Sequence, residues 1–407
     1  MEGVADIVVV GAGIAGLAVA LGLHRSGLRS LVLESSDSLR ASGFAITTWT
    51  NAWRALDALG VGDALRQQHV RLEQLVAFSA SSGSVTTRLS LRARGKHIGK
   101  HEVRCLKRNL LVEALAQELP HGTIRYSSKV VSVEEAGTVK LLHLADGSTL
   151  RAKVLIGCDG VNSVVAKWLG LKVPAFAGRY AARGIATFPD GHAINPEFAQ
   201  HFGTGYRSGM LPCDKKSVYW FFTWTSDGED KEMRKDAARV REFVLSKMKT
   251  AKLPEEVLHV IERSELSGVA SSPLRYRSPL NLLWGDISRG NVCVTGDAFH
   301  PMTPDLGEGG CAALEDGVVL AKCLAQALIG AGQERSEEDE RRRIEAALRK
   351  YANARRWRNL DLVVTSFVVG FIQEGGNWVM NMMRDEVLSG LLAKKLLSEA
   401  DFECGNL

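Results

Sequence analysis

Three glycines near the amino terminus have the spacing of a site for a phosphate group. Gly11, Gly13 and Gly16 form the pattern G-x-G-x-x-G in VVVGAGIAGLAVAL, between a β-branched apolar run and an apolar pattern of helical period. The first glycine permits a tight turn, the second lets a pyrophosphate approach the backbone, and the third allows close helix–strand contact. The amino terminus of the helix also stabilises phosphate charge. The pattern therefore predicts a dinucleotide site.

An acidic residue completes this motif. Glu34 ends the next apolar run, SLVLE, 18 positions after Gly16, and closes a β-α-β unit. A carboxylate at this position accepts hydrogen bonds from ribose hydroxyls and repels an additional ribose phosphate. Glu34 therefore favours FAD or NAD over NADPH as the dinucleotide held here.

A second group of chemically suggestive residues follows the apolar run 292–294, in GDAFHPMTPDLGEGGCAALEDG. Asp297, just past a strand end, suits a hydrogen bond to a ribityl hydroxyl. The glycines at 307–310 open a helix whose amino-terminal amides can face a developing anion, such as a reduced flavin. Bare backbone also lets an isoalloxazine ring lie close. The two groups together predict the two halves of an FAD site.

Other residues of reactive type have structural interpretations. His300 is predicted to hold its loop through a backbone hydrogen bond, and Cys311 to be a small packing residue. Tyr206, Tyr219 and His201 are each candidates for a base, and the sequence does not select among them. No catalytic residue is assigned.

The elements that position these residues indicate an α/β protein. A Rossmann-like domain of parallel sheet and helices is predicted from two distant segments, with a sheet-rich substrate domain inserted between them and helices at the end. The predicted limits are 1–170 and 282–335 for the FAD-binding domain, 171–281 for the substrate domain, and 336–407 for the C-terminal helices.

Within the predicted substrate domain, SVYWFFTWT (217–225) is a strand rich in large rings. Trp220, Phe222 and Trp224 share one face and Phe221 the other. The cluster is predicted to be sheet core, with the lining of an apolar substrate pocket as the alternative. The stretch GTGYRSG (203–209) is interpreted as a loop. A charged segment from 335 to 359 is predicted to be a helix with a solvated face.

Composition excludes several classes. The excess of Lys+Arg over Asp+Glu is 51 − 46 = 5 and is spread along the 407 residues, without the basic stripe of a nucleic-acid-binding protein. Seven scattered cysteines without a C-x-x-C pair argue against a disulfide framework or a zinc site. No leader-like pattern precedes the first strand, and the apolar stretch 360–383 is interrupted by glycine and polar residues. A soluble, cytoplasmic protein without metal, nucleic-acid partner or transmembrane segment is expected.

The motifs resemble those of one family. GDAFHPMTPDLGEGG (296–310) resembles the GD-x-x-H-x-x-x-P-x-x-G-x-G element of class A, single-component flavin monooxygenases of the aromatic-hydroxylase type. GCDGVNS (157–163) resembles their Asp-Gly motif, and Arg108 in CLKRNLLVEAL matches the Arg before their first-domain helix. These three elements and the glycine motif at 11–16 follow the family's order along the chain. GGCAALEDG (309–317) is most similar to plant relatives of zeaxanthin epoxidase and salicylate hydroxylase. Ala166, where the family often has Arg, is a departure.

The resemblance implies roles for individual residues. Asp297 would bond the ribityl chain, 307–311 would lie against the isoalloxazine, Arg108 would sit near the cofactor, and Asp159 would serve FAD and the visiting NAD(P)H. The candidate cofactor-binding residues are Gly11, Ala12, Gly13, Ile14, Ala15, Gly16, Glu34, Ser35, Arg108, Val130, Asp159, Asp297, Pro304, Gly307, Gly309, Gly310 and Cys311.

The resemblance also implies an activity. The protein would use NADPH or NADH as a transient electron donor and dioxygen to hydroxylate or epoxidise a small electron-rich, aromatic or apolar substrate through a peroxyflavin. The sequence has one FAD site and the family's Asp159-Gly160 motif, without a second G-x-G-x-x-G after a strand. One polypeptide is therefore expected to perform both half-reactions, without a separate reductase. Two alternatives remain: a flavin-dependent reductase or dehydrogenase of the same fold, and a non-catalytic FAD-binding protein.

Overall fold

The computed structural model describes residues 4–39, 44–80, 82–92, 101–226, 236–329, 336–373 and 395–407. Elements are numbered in chain order. Within the described residues, the first sheet has eight strands: β1 (Val4–Val10), β2 (Leu31–Leu33), β7 (Ile124–Arg125), β8 (Val130–Ala136), β9 (Val139–Leu144), β10 (Thr149–Gly157), β16 (Ser288–Arg289) and β17 (Val292–Val294). The second has seven: β4 (Gln74–Ser79), β5 (Val85–Ser90), β11 (Ala175–Thr187), β12 (Glu197–Gly203), β13 (Tyr206–Pro212), β14 (Ser217–Thr225) and β15 (Ala270–Tyr276). A third pairs β3 (Ala45–Thr48) with β6 (Arg104–Lys107).

The helices lie around and between these sheets. They are α1 (Ile14–Arg25), α2 (Thr50–Ala58), α3 (Gly62–Gln68), α4 (Arg108–Gln117), α5 (Val164–Trp168), α6 (Ala237–Thr250), α7 (Glu255–Glu262), α8 (Pro279–Trp284), α9 (Gly309–Leu328) and α10 (Glu337–Gln373). The predicted α/β class is confirmed.

The first sheet is the Rossmann-like core. Its order is β16-β17-β10-β1-β2-β7, and the neighbours from β17 to β7 are parallel. Such strands are covered on both faces, which explains their continuous apolar runs. β17 comes from a segment more than 100 residues after β10 yet pairs beside it. The domain is therefore built from two distant segments, as predicted.

The two segments are joined by close packing of α1 on α9. A Cβ added at Gly317 would lie 2.6 Å from the Cβ of Ala18, and one added at Gly22 would lie 2.8 Å from the Cβ of Ala321. Only glycine at both crossing points allows the helices to approach this closely. This contact places the amino terminus of α9 beside that of α1.

The second sheet faces the first across a cleft. β12 pairs in parallel with β4, so the two strands 74–90 extend this sheet although they precede 171 in the chain. The domain limits given above stay a prediction. On β14, Trp220, Phe222 and Trp224 are buried together with residues of α6 and α7, so this face is sheet core as predicted. Acidic and basic residues from Asp230 to Lys249 have helical spacing in the sequence, and α6 covers this stretch from Ala237, while 230–235 lie outside the described residues.

The interpretation of 203–209 as a loop is wrong. Residue 203 ends β12, and β13 begins at Tyr206, so the stretch is a hairpin with Thr204 and Gly205 at its turn. Gly205 has a positive φ of 74°, which a two-residue hairpin turn favours. The sequence lacked a recognisable strand before the glycines because β12, EFAQHFG, carries polar residues at 197, 200 and 201.

The solvated helix predicted near 335–359 is also only partly correct. α10 runs to Gln373, and it buries Tyr351 and Arg355 completely. The Arg355 guanidinium pairs with Glu315 and Asp316 of α9, and the Tyr351 hydroxyl donates to the carbonyl oxygen of Val294 at 3.3 Å. Local sequence does not reveal these partners. The last part of the apolar stretch, 374–383, lies outside the described residues. Among the described helices, none has the length and apolarity needed to span a membrane.

Candidate active site

A cavity of about 900 Å³ lies where the carboxyl ends of β1, β2 and β10 face the second sheet. Its volume falls in the range of ligand sites, and its position at the strand ends is that of cofactor crevices in open parallel sheets. The candidate cofactor-binding residues line this cavity, except Gly16 and Cys311, which are packed beside it. The structure thus brings together both halves of the predicted site.

The glycine turn after β1 shows why its three glycines differ. Gly11 has a φ of 102°, and a Cβ there would lie 2.6 Å from the carbonyl oxygen of Cys158. A Cβ at Gly16 would lie 1.9 Å from the oxygen of Gly11. A Cβ at Gly13 would meet nothing within 4 Å and would project into open space at the start of α1. Gly11 and Gly16 serve the fold, while Gly13 keeps the cavity clear.

Glu34 lies at the end of β2 and already has protein partners. The backbone NH of Ala12 donates to its Oε2 at 2.8 Å, and that of Ser36 donates to its Oε1 at 2.9 Å. The carboxylate therefore ties the glycine turn to β2. Ser35 also donates through its Oγ to Oε1 at 3.1 Å. The binding role of Glu34 and of Ser35 beside it stays a prediction.

Asp297 follows β17 in a single helical turn and lines the cavity. The side chain is exposed to the cavity, and its carboxyl group accepts no hydrogen bond from any other described residue. Desolvation by the surrounding protein raises the pKa of this carboxyl group. The nearby His300 ring and the guanidinium groups of Arg183 and Arg108 act in the opposite direction. An acceptor that faces the cavity without a protein donor is suited to a hydroxyl-bearing ligand.

The loop between Asp297 and α9 forms the opposite wall of the cavity. Trp49 donates through Nε1 to the carbonyl oxygen of Leu306 at 3.1 Å, and Gly307 has a positive φ of 69°. Pro304, Gly309 and Gly310 also line the cavity. Cys311 is fully buried behind them, 3.6 Å from the oxygen of Thr47, and burial raises the pKa of its thiol well above the ordinary value. It is a protonated packing residue, as predicted.

A carboxylate that the sequence motifs did not single out fixes this loop. Asp316 of α9 accepts hydrogen bonds at Oδ2 from the backbone of Gly296 at 3.0 Å and from the ring of His300 at 2.7 Å. Arg355 donates to its Oδ1 at 2.6 Å. Burial alone favours the neutral acid, yet His300 and Arg355 hold the pKa of Asp316 well below its usual range. His300 is structural, but its partner is this side chain and not a backbone group.

The remaining candidates sit on other edges of the cavity. Arg108 is the first residue of α4, and its backbone NH donates to Phe44 at 3.0 Å. Val130 begins β8 at the cavity wall. Asp159 accepts from the backbone of Val164 at 2.6 Å and so caps α5, and burial raises its pKa. Its proposed contact with cofactors stays a prediction.

The second sheet contributes a face of alternating residues. Tyr219, Phe221 and Thr223 of β14 line the cavity. Trp220, Phe222 and Trp224 alternate with them along the strand and pack in the core on the opposite face of the sheet. The alternative of a pocket lining therefore applies to Phe221 alone among the cluster, and the other three rings are sheet core. Among the candidate bases, Tyr219 lines the cavity and His201 and Tyr206 do not.

Sequence reasoning missed four polar residues in this wall: Arg183, Gln200, Arg207 and Asp305. Asp305 is buried and receives the guanidinium of Arg179 at 2.7 Å and that of Arg207 at 3.3 Å. The alternation of polar and apolar residues along β12 and β13 could have indicated a face, but only pairing with β11 and β14 shows that this face meets the cavity.

The residues present fit FAD. The space at Gly13 admits a pyrophosphate at the amino terminus of α1, Asp297 is an acceptor awaiting a donor, and bare backbone at 307–310 borders the cavity. Across the described segments, no cluster of three or more His, Cys, Asp or Glu side chains has the arrangement of a metal site.

Comparison with known proteins agrees with this geometry. The model of the FAD binding domain family matches residues 4–351. Monooxygenase 2 of Arabidopsis thaliana is 51% identical over 411 residues, covering 100% of this chain and 99% of its own length. Monooxygenase 1 of the same plant is 37% identical over 408 residues, covering 98% and 99%. The crystal structure of Klebsiella pneumoniae HpxO complexed with FAD and uric acid has a TM-score of 0.79 at 25% identity and covers 98% of both chains.

The family match spans far more than half of the chain, and the plant relatives cover all of it or nearly so. The resemblance stated from the motifs is confirmed, and the protein is an enzyme of the flavin-dependent oxidoreductases. The chain belongs to the FAD-binding-domain family of FAD-dependent monooxygenases.

Proposed function

We propose that this monooxygenase hydroxylates a small planar, electron-rich aromatic substrate, with NADPH or NADH as electron donor and dioxygen as oxidant. The observation that carries the proposal is the continuity of one cavity from the glycine turn to the face of β11–β14. The first end suits a dinucleotide, and the second presents an aromatic ring among hydrogen-bonding side chains. Bound FAD supplies the electron-transfer and oxygen-activation chemistry that side chains lack.

The chain's own residues would hold the cofactor. The turn at 11–13 and the amino terminus of α1 would bind the pyrophosphate, Asp297 would accept from a ribityl hydroxyl, and the amides opening α9 would face negative charge on the ring. The Asp316 network behind 296–300 keeps Asp297 in place. Holding these groups fixed before reaction is the main protein contribution to such chemistry.

The substrate end combines exclusion of water with directed hydrogen bonds. Phe198 and Phe221 lie 6.3 Å apart with rings nearly perpendicular, and both line the cavity. Burial raises the pKa of Tyr219, so its phenol is neutral near pH 7 and serves as a hydrogen-bond donor rather than as a base. An apolar, enclosed surface protects reactive oxygen species from water.

Uric acid in the HpxO structure supports a planar ring as the kind of substrate that this fold accommodates. The substrate of this chain belongs to the proposal. We also propose that one polypeptide performs reduction and oxygenation, because the sequence carries one glycine motif after a strand and the family's Asp-Gly motif. A reducing, cytoplasmic location is proposed as well, since the seven cysteines are free and buried.

The test uses the protein reconstituted with FAD. NADH or NADPH is added under ¹⁸O₂, with and without each member of a panel of phenolic acids and heteroaromatic rings. We expect the correct compound to accelerate nicotinamide oxidation and to gain one ¹⁸O atom. A slow peroxide leak without substrate is also expected.

Other outcomes separate the alternatives. Reduction of an artificial acceptor without ¹⁸O in any product would indicate a dehydrogenase of the same fold. A flavin that neither nicotinamide reduces would indicate a partner-fed or non-catalytic FAD-binding protein.

A further inference from the structure

Strand pairing places four residues in one row across the cavity wall. Arg183 of β11 is opposite Phe221 of β14, which is opposite Gly209 of β13, which is opposite Gln200 of β12. Residues directly opposite each other in a sheet share a face, so the row projects toward the cavity that Arg183, Phe221 and Gln200 line. Three strand spacings separate its ends by about 14 Å.

The middle of this row is a ring over bare backbone. A Cβ built on Gly209 would lie 2.3 Å from the ring of Phe221, so the ring occupies the space that a side chain would need. The Arg207 guanidinium lies 5.0 Å from the centroid of the same ring and is paired with Asp305. The Phe221 ring is therefore fixed in position as one side of the substrate end of the cavity.

One end of the row is a buried amide. Gln200 is only 4% exposed and lines the cavity, yet its side chain has no hydrogen-bond partner among the residues that the structure describes. An amide that lines a cavity without a protein partner takes its hydrogen bonds from whatever occupies the cavity. An amide presents a donor and an acceptor side by side. Its complement is a ring edge with an adjacent acceptor and donor.

The other end carries a cation. The Arg183 guanidinium lies 5.2 Å from the centroid of Phe44 and forms no ion pair with another described residue. Its neighbours along the cavity wall are Tyr219 and Asp297, and its charge partly opposes the burial that raises the pKa values of both groups. A cation over an aromatic ring at a cavity wall attracts an anionic oxygen.

We propose that the Arg183–Phe221–Gln200 row selects planar lactam rings, binding an anionic substituent at Arg183 and the ring N–H and C=O at Gln200. The row is a specificity determinant for the function proposed above, on which the inference rests. Gln200 distinguishes a pyridone-type or purine-type ring from a benzene ring of the same shape. Arg183 responds to the charge that both kinds of ring can carry.

The experiment compares two isosteric probes, 6-hydroxynicotinate, whose pyridone form has a lactam edge, and 4-hydroxybenzoate, which lacks the ring nitrogen. Each is titrated into FAD-loaded protein, and binding is followed by the change in the flavin absorbance spectrum. Gln200→Leu is expected to weaken 6-hydroxynicotinate roughly 10-fold and to leave 4-hydroxybenzoate within about twofold. Arg183→Met is expected to weaken both probes by similar factors.

Ser208→Ala is the matched control, because Ser208 lies on β13 between Arg207 and Gly209 but points to the opposite face of the sheet. It should alter neither probe. Equal effects of Gln200→Leu on the two probes, or failure of the parent protein to bind 6-hydroxynicotinate more tightly than 4-hydroxybenzoate, would overturn the inference. Failure of the proposed function has a different signature, since binding would be measurable while no ¹⁸O-labelled product formed from any compound.

Discussion

Asp297 is the acidic side chain that we expect to bind FAD at the cofactor end of the cavity. Its carboxyl group faces the cavity and has no donor among the described residues, so Asp297→Ala removes a ligand contact without breaking a protein hydrogen bond. A hydrogen bond to a charged group contributes about 1.5–3 kcal/mol, so FAD affinity should fall roughly 10- to 100-fold. Titration of FAD into the apoprotein measures this. Asp63→Ala, at a side chain 94% exposed, is the control. Unchanged affinity in Asp297→Ala would remove the assigned role.

Glu308 gives the protein a pH-dependent stability. Burial raises its pKa to about 7, while Asn51 donates to its Oε2 at 2.8 Å and partly opposes this. In the unfolded chain the same group ionises near pH 4.3. The contribution of Glu308 to stability is therefore fully present below about pH 4 and is lost as pH rises through about 7, because the folded protein disfavours the ionised carboxylate. Glu308→Gln cannot ionise and should gain roughly 3 kcal/mol at pH 8 relative to the parent.

Urea denaturation at pH 5 and pH 8 checks this prediction. The gain from Glu308→Gln should be much larger at pH 8. Glu337→Gln, an exposed acid at the start of α10, should show no such difference. An equal gain at both pH values would mean that the carboxyl group is not the cause.

At the scale of elements, the turn between β1 and α1 separates folding from binding. Gly16→Ala would place a Cβ 1.9 Å from the oxygen of Gly11, so it should lower stability by about 1–3 kcal/mol. Gly13→Val meets nothing of the protein within 4 Å of the new Cβ and should fold normally, but its side chain would fill the phosphate space and abolish FAD binding. Thermal melting of the apoproteins and FAD titration form a two-by-two comparison. Loss of stability in Gly13→Val equal to that in Gly16→Ala would contradict this division.

Across the whole molecule, the elements marked by a local motif could be predicted from the sequence, and the contacts between residues distant in the sequence could not. The β1-α1-β2 unit could be predicted because its apolar periodicity and its glycines lie close together in the sequence. The place of β17 in the first sheet could be predicted because the motif that follows this strand is specific. The ion pairs of Arg355 could not be predicted, because acidic residues some 40 positions earlier in the chain decide whether α10 is buried or solvated. Gln200 is comparable: its own strand shows its face but not which strands lie beside it.

The hairpin turn at Thr204 and Gly205 fixes the register of β12 against β13, and this has an evolutionary consequence. Successive strand residues point to opposite faces, so a one-residue insertion there that shifted β12 would exchange Gln200 for Ala199 or His201 in the cavity wall. A length change at a surface turn outside the cavity lining would then alter substrate choice in one event, whereas point substitutions would have to replace each wall residue in turn. Divergence of substrate among descendants of this chain should accordingly leave its trace as gaps at 204–205.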